Sequence, residues 1–245
     1  MAWRVRTNRG YAFAMTPDPF TVPFGQRLLH GDAYELPCRG LVLHGAGDSR
    51  RDRFSRLRRD LCDRGLPTAA FDCIGHGETG GELLGSCLRE RTEQAAGVIA
   101  AACREPLTLI GASMGAYTAL RLTEGFAVEG LVLIVPAAYA PATYEVPFGP
   151  AFSAVIRESG SWRDSDAFAL LRRFTGRLLI VAGENDSVIP SELVERLHAA
   201  ATAASVNRLY VVPGGQHIGL LDDEAEYRRV LDLIASLADD MACAP

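Results

Sequence analysis

Short runs of successive apolar residues, bounded by glycine, proline or aspartate, recur along the chain: GLVLHG (40–45), PTAAFD (67–72), LTLIGAS (107–113), GLVLIVP (130–136), RLLIVAG (177–183) and RLYVVPG (208–214). Apolar side chains at neighbouring positions point to opposite faces of a strand, so these runs are expected to be buried on both faces, as in a parallel sheet. Between them lie helix-length segments at 52–64, 88–103, 114–124, 191–204 and 224–238. Strand and helix in alternation predict an α/β fold with a mostly parallel, doubly wound sheet. Ahead of the first buried run, residues 20–36 alternate around Gly25 and predict an antiparallel hairpin at one edge of that sheet.

One connection breaks the rhythm. Residues 136–176 are rich in proline and aromatics and hold two short helical patterns, at 152–158 and 166–173. A connection this long inside a compact α/β domain is usually functional, and the segment is expected to be a small lid inserted in a single domain spanning 1–245. Its aromatic residues Tyr139, Tyr144, Phe148, Phe152 and Trp162 are candidate walls of a substrate pocket.

Composition narrows the function classes. The net charge of −5 comes from acidic and basic residues spread along the chain, which speaks against a nucleic-acid partner. The longest apolar stretch, 130–142, is broken by Pro136 and is far short of a membrane span. The first residues, MAWRVRTNRGYAF, contain arginines but no apolar core of a signal peptide, so a cytoplasmic location is expected. The six cysteines, Cys38, Cys62, Cys73, Cys87, Cys103 and Cys243, form no C-x-x-C pair and read as reduced, mostly packed thiols, with no metal or other cofactor implied. All 25 basic residues are arginine. Lysine Schiff-base chemistry, a Walker-type lysine and any lysine base are thereby excluded.

Chemistry concentrates at GASMG (111–115), where a buried run passes directly into a helical pattern. Ser113 between Gly111 and Gly115 fits a nucleophile elbow, a turn so tight that its flanking positions must be small. It also fits a helix N-cap, a role serine favours. As an elbow it places the Met114 N–H, unpaired at a helix N-terminus, where it can bind a developing oxyanion. A serine nucleophile needs a base. His217, in a glycine-rich loop after the last buried run, is the candidate; His198 falls within a helical pattern and His30 within the early hairpin. The base needs a carboxylate to hold its tautomer. Asp186, after the fifth run, is the candidate, with Glu184 two residues away and Asp164 and Asp166 as further alternatives.

With these residues in view, the chain resembles the α/β-hydrolase superfamily over about 20–237. LVLHGAG (41–47) is similar to that family's oxyanion loop, FDCIGHGETGG (71–81) to its glycine-histidine-glycine turn, and GASMG, GENDSVIP and GGQH to its elbow, acid loop and histidine loop. The order Ser113, Asp186, His217 is the family's chain order. The resemblance implies that the Ala46 N–H, or alternatively that of Gly47, joins Met114 in an oxyanion hole, and that His44, His76 and Asp72 fix loops. The run SRRDRFSRLRRD (49–60) carries six arginines and reads either as a solvated helix face or as a grip on an anionic or carrier-bound substrate.

The function expected from this reading is serine-dependent hydrolysis of a carboxylic ester or thioester through an acyl-enzyme, the partner being a small-molecule or carrier-bound acyl substrate. Two alternatives from other classes accompany it. One is a lyase of the same fold that eliminates a carboxylate such as acetate in natural-product tailoring; the other is a non-catalytic ligand receptor.

Overall fold

The structure, a computed structural model, describes residues 16–239. The N-terminal residues read above for a signal peptide and Cys243 lie outside these. Among the described residues eight strands, β1 (Asp18–Phe24), β2 (Arg27–Ala33), β3 (Cys38–Leu43), β4 (Thr68–Phe71), β5 (Cys103–Ala112), β6 (Val128–Ile134), β7 (Arg177–Gly183) and β8 (Val206–Val212), form one sheet in the order β1-β2-β4-β3-β5-β6-β7-β8. β3 to β8 run parallel, and β1 and β2 form the expected antiparallel hairpin at the edge, closed by Gly25 and Gln26 between the paired Phe24 and Arg27.

The helices are α1 (Ser55–Cys62), α2 (Leu88–Ala102), α3 (Met114–Leu122), α4 (Pro150–Arg157), α5 (Ala167–Arg173), α6 (Ser191–Ala200) and α7 (Glu224–Asp239). None of the described helices is long and apolar enough to cross a membrane. α4 and α5 are the two short helices of segment 136–176.

The apolar runs are buried because the sheet is covered on both faces. Leu41, Leu109, Ile110, Leu131, Val132, Leu133, Leu179, Ile180 and Val181 are all essentially inaccessible. Each such side chain contributes about 1.5–3 kcal/mol by leaving water. The run at 208–214 departs from the expectation: β8 is half exposed, with Val211 open to solvent. Among the described residues it is the outer strand of the sheet, paired only with β7. The helix expected over 191–204 stops at Ala200, because the Asn207 amide donates to the carbonyls of His198 and Ala201 and closes the helix end.

The strand order positions the site. The chain runs from β3 outward to β4 and then returns across β3 to β5, so β3 and β5 are neighbours whose following connections leave in opposite directions. In open α/β sheets the crevice at such a switch point, at the carboxyl ends of the strands, is where ligands bind. The loop 44–47 and the turn at Ser113 between β5 and α3 emerge there.

Candidate active site

Ser113 sits at the end of β5 with φ 51° and ψ −118°, a left-handed conformation that costs a non-glycine residue of order 1–3 kcal/mol. The surroundings hold it there: its N–H donates to Ile134 O (2.9 Å), and its carbonyl accepts from the N–H groups of Ala116 (3.0 Å) and Ala137 (3.2 Å). The flanking glycines are required by close approach. A Cβ on Gly111 would stand 2.4 Å from Gly115 O, and one on Gly115 would stand 2.3 Å from Leu43 O and 2.6 Å from His44 O. Ser113 is the residue before α3, yet its side chain bonds none of the helix N–H groups. The cap reading therefore does not describe it. Its Oγ lies 3.2 Å from His217 Nε2.

His217 is carried by the loop after β8, and its Nδ1 lies 2.9 Å from Asp186 Oδ2. The Asp186 side chain is only 3 % exposed, and its other oxygen accepts from the N–H groups of Val188 (2.8 Å) and Ile189 (2.9 Å). Both oxygens of this carboxylate are thus committed. Glu184 has a different post: its carboxylate accepts from Gly214 N–H at 2.7 Å and fastens the acid loop to the histidine loop. The two loops are further joined by Asn185 N–H to Gly215 O (2.7 Å), and a Cβ on Gly183 would meet Gly215 O at 2.5 Å. Asp166 lies elsewhere, accepting from Tyr117 Oη at 2.8 Å and from Arg121, while Asp164 is on the surface.

The loop after β3 runs beside the serine, since a Cβ on Gly45 would lie 3.3 Å from Ser113 Cβ. The N–H groups of Ala46, Gly47 and Met114 donate to no acceptor among the described residues. Behind this loop lies a buried polar cluster. His44 Nε2 accepts from Cys73 N–H (3.1 Å), so its Nδ1 carries the proton and donates to Gly45 O (2.8 Å). Arg91 of α2 donates to His44 O (2.9 Å) and Gly45 O (3.2 Å) through one terminal nitrogen, and to His76 Nε2 (3.2 Å) through the other. Burial, then the Arg91 charge, then His76 hold His44 well below the usual histidine range; burial followed by Arg91 brings His76 down to about 4. Both imidazoles are neutral at pH 7. Asp72 fixes the neighbouring turn by accepting from the N–H groups of Arg51 (2.8 Å) and Glu78 (3.1 Å).

Arg91 was not among the residues read from the sequence. Its signal was there: Leu88, Arg91, Ala95, Val98 and Ala102 form the buried stripe of α2, so an arginine occupies a position that spacing assigns to the core.

The arginines of 49–60 mostly have carboxylate partners. Arg50 pairs with Asp52, Arg51 with Asp32, Asp72 and Glu78, Arg56 with Glu224, Arg58 with Asp32, and Arg59 with Asp60. In segment 136–176, Tyr139 and Tyr144 pack edge-on against Tyr117 of α3, and Phe152 packs tilted against Tyr139 and edge-on against Phe148. Trp162 packs instead against Phe168, with Arg196 over both rings. His30 is in β2 and His198 in α6, as expected. A cleft of about 820 Å³ between Phe126, Glu129, Phe174 and Arg177 opens at the amino ends of β6 and β7, the edge of the sheet opposite Ser113. Among the described residues no cluster of side chains is arranged to hold a metal ion.

Comparison with known proteins places this geometry in context. Residues 41–177, more than half of the chain, match the model of the alpha/beta hydrolase family. No curated protein matches the chain. Among solved structures, a serine hydrolase involved in carbazole degradation superposes with a TM-score of 0.70 at 18% identity, covering 91% of this chain and 100% of that one. An esterase from Exiguobacterium antarcticum gives 0.67 at 20% identity, covering 88% and 98%. The thioesterase domain from the curacin biosynthetic pathway gives 0.68 at 14% identity, covering 90% and 99%. At these identities the likeness is one of fold.

Proposed function

This chain belongs to the alpha/beta hydrolase family, and we propose that it is a serine hydrolase cleaving carboxylic esters or thioesters through an acyl-enzyme. The observation that carries the proposal is the line of hydrogen bonds from Ser113 Oγ through His217 to Asp186, set on a left-handed turn beside unpartnered backbone N–H groups. In this reading His217 Nε2 takes the Ser113 proton as the alkoxide attacks the acyl carbon. Asp186 keeps the other imidazole proton on Nδ1 and stabilises the imidazolium. The N–H groups of Met114 and Ala46 receive the oxyanion; Ala46 is preferred to Gly47 because it directly follows Gly45, which abuts Ser113. His217 returns its proton to the leaving group. It then activates water to release the acid and restore Ser113.

Segment 136–176 is assigned the part of a small lid tied down at both ends. Near its start Ala137 N–H bonds the elbow carbonyl, and near its end Asp166 holds Tyr117 and Arg121 of α3. Tyr139, Tyr144, Phe148 and Phe152 are assigned to the acyl-side wall, because the segment that carries them leaves β6 against the elbow. Trp162 is read as a packing residue. The pairing of the 49–60 arginines favours a structural role for that run, and the neighbours described as an esterase and a thioesterase accord with an acyl substrate.

Intact mass after incubation with a fluorophosphonate tests the proposal. The wild type is expected to gain one phosphonyl group and Ser113→Ala none; an unmodified wild type would remove the activated serine. Turnover in ¹⁸O-water then separates hydrolysis from elimination. Hydrolysis puts label in the released acid and leaves no new double bond in the co-product.

A further inference from the structure

The buried Arg91 calls for an explanation that packing does not supply. Its side chain is among the largest fully buried ones in the protein, and no carboxylate among the described residues lies within ion-pairing distance of it. A guanidinium stays charged in any protein environment. An isolated buried charge is costly, and burial normally comes with an ion partner. Contrast Arg58, equally buried, which pairs with Asp32. Arg91 spends its terminal nitrogens on neutral acceptors, and its Nε has no partner among the described residues.

Those acceptors are informative. Gly45 O belongs to the same peptide unit as Ala46 N–H. It accepts from the Arg91 guanidinium (3.2 Å) and from His44 Nδ1 (2.8 Å). Two donors on one carbonyl oxygen, one of them cationic, draw electron density toward that oxygen and make the N–H at the other end a stronger donor. They also fix the plane of the peptide, so the N–H needs no reorganisation when charge develops.

From this we infer that Arg91 is a positioning residue for the oxyanion hole: it aims and polarises the Gly45–Ala46 peptide, and its unpaired charge is compensated when the substrate's carbonyl oxygen becomes an oxyanion. The inference rests on the reading of Ser113 as nucleophile and Ala46 as oxyanion donor. Because the compensating anion exists only in the transition state and the tetrahedral intermediate, the effect belongs in kcat and not in KM. It also explains why an ionic group stands on the apolar stripe of α2, where a leucine or methionine would pack.

The test uses p-nitrophenyl acetate and a trifluoromethyl ketone, which forms a tetrahedral oxyanion adduct with an activated serine, on wild type, Arg91→Met, Arg91→Gln and Arg91→Lys. Arg91→Met is expected to lower kcat about 10- to 100-fold with KM changed less than threefold, and to weaken the ketone by a similar factor. Arg91→Lys, which keeps the charge, should recover at least fivefold over Arg91→Met, and Arg91→Gln should not. If Arg91→Met does not fold, Arg91→Gln against Arg91→Lys is read in the same way. A kcat within threefold of wild type, a loss confined to KM, or a lysine variant no better than glutamine would overturn the inference. The fluorophosphonate adduct on wild type separates the two levels. With the adduct present and kcat unmoved, only the role of Arg91 falls, whereas a missing adduct removes the nucleophile and the oxyanion with it.

Discussion

Asp186→Asn is the substitution whose outcome follows most directly from the geometry. The carboxylate accepts two backbone N–H bonds on Oδ1, from Val188 and Ile189, and faces His217 Nδ1 with Oδ2 at 2.9 Å. An asparagine in the same place must keep its carbonyl oxygen toward the two N–H donors, since its amide group has no lone pair for them. The amide NH₂ then faces His217 Nδ1, which can only accept. The imidazole proton is driven to Nε2, the nitrogen 3.2 Å from Ser113 Oγ, and the base is lost although nothing has moved. A tautomer of this kind costs roughly 10⁴ in kcat, about 5 kcal/mol of transition-state stabilisation. Stability should change little, because both backbone bonds survive. Glu184→Gln is the matched control: it keeps an acceptor for Gly214 N–H and should lower kcat less than tenfold. The assay is steady-state hydrolysis of p-nitrophenyl acetate, with urea melts on the same samples. The reasoning fails if Asp186→Asn retains kcat within tenfold, or if Glu184→Gln loses as much.

Further outcomes follow from the same contacts. Gly115→Ala forces a Cβ against the carbonyls of Leu43 and His44 at 2.3 and 2.6 Å, both backbone atoms, and should destabilise by about 1–3 kcal/mol with a loss of phosphonylation rate; an unchanged urea midpoint would contradict it. His76, held at about 4 against an ordinary 6.5, is neutral in the fold but protonated in the unfolded chain between those values. Its contribution is therefore complete above pH 6.5 and lost as pH falls toward 4, by at most about 3 kcal/mol. His76→Asn should flatten the fall in stability between pH 7 and 4.5, and equal losses in both proteins would exclude this source. Asp166→Ala leaves Tyr117 and Arg121 without their shared acceptor and should cost about 1–3 kcal/mol, read from the thermal midpoint, while Asp164→Ala should be near neutral.

Much of the architecture is legible in the chain because it depends on local pattern. Short apolar runs bounded by glycine, proline or aspartate are too short for helices and fit strands covered on both faces, and helix-length segments between them fit crossovers, which make the sheet parallel. The elbow is legible for a similar reason: a serine between glycines at a strand-to-helix junction is a statement about steric room, and the contacts of Gly111 and Gly115 show how little room there is. β8 is the parallel strand that its sequence predicts but is less buried than expected, because burial depends on a strand's place in the sheet, and an outer position exposes a sequence that would be buried at the centre.

Selection among equivalent groups depended on the tertiary structure. Glu184 and Asp186 follow the same strand, two residues apart, and only the path of the loops turns one toward Gly214 and the other toward His217. The arginines of 49–60 could not be sorted into paired and solvated from sequence, because several of their carboxylates, Asp32, Asp72, Glu78 and Glu224, lie far along the chain. Arg91 is the sharpest case. Helical spacing places it on the buried face of α2, but only the packing of α2 against the loop after β3 aims its charge at Gly45 O. Periodicity and steric room act over a few residues and so can be read along the chain, whereas the partner of a charge is set by which distant segments the fold brings within a few ångströms.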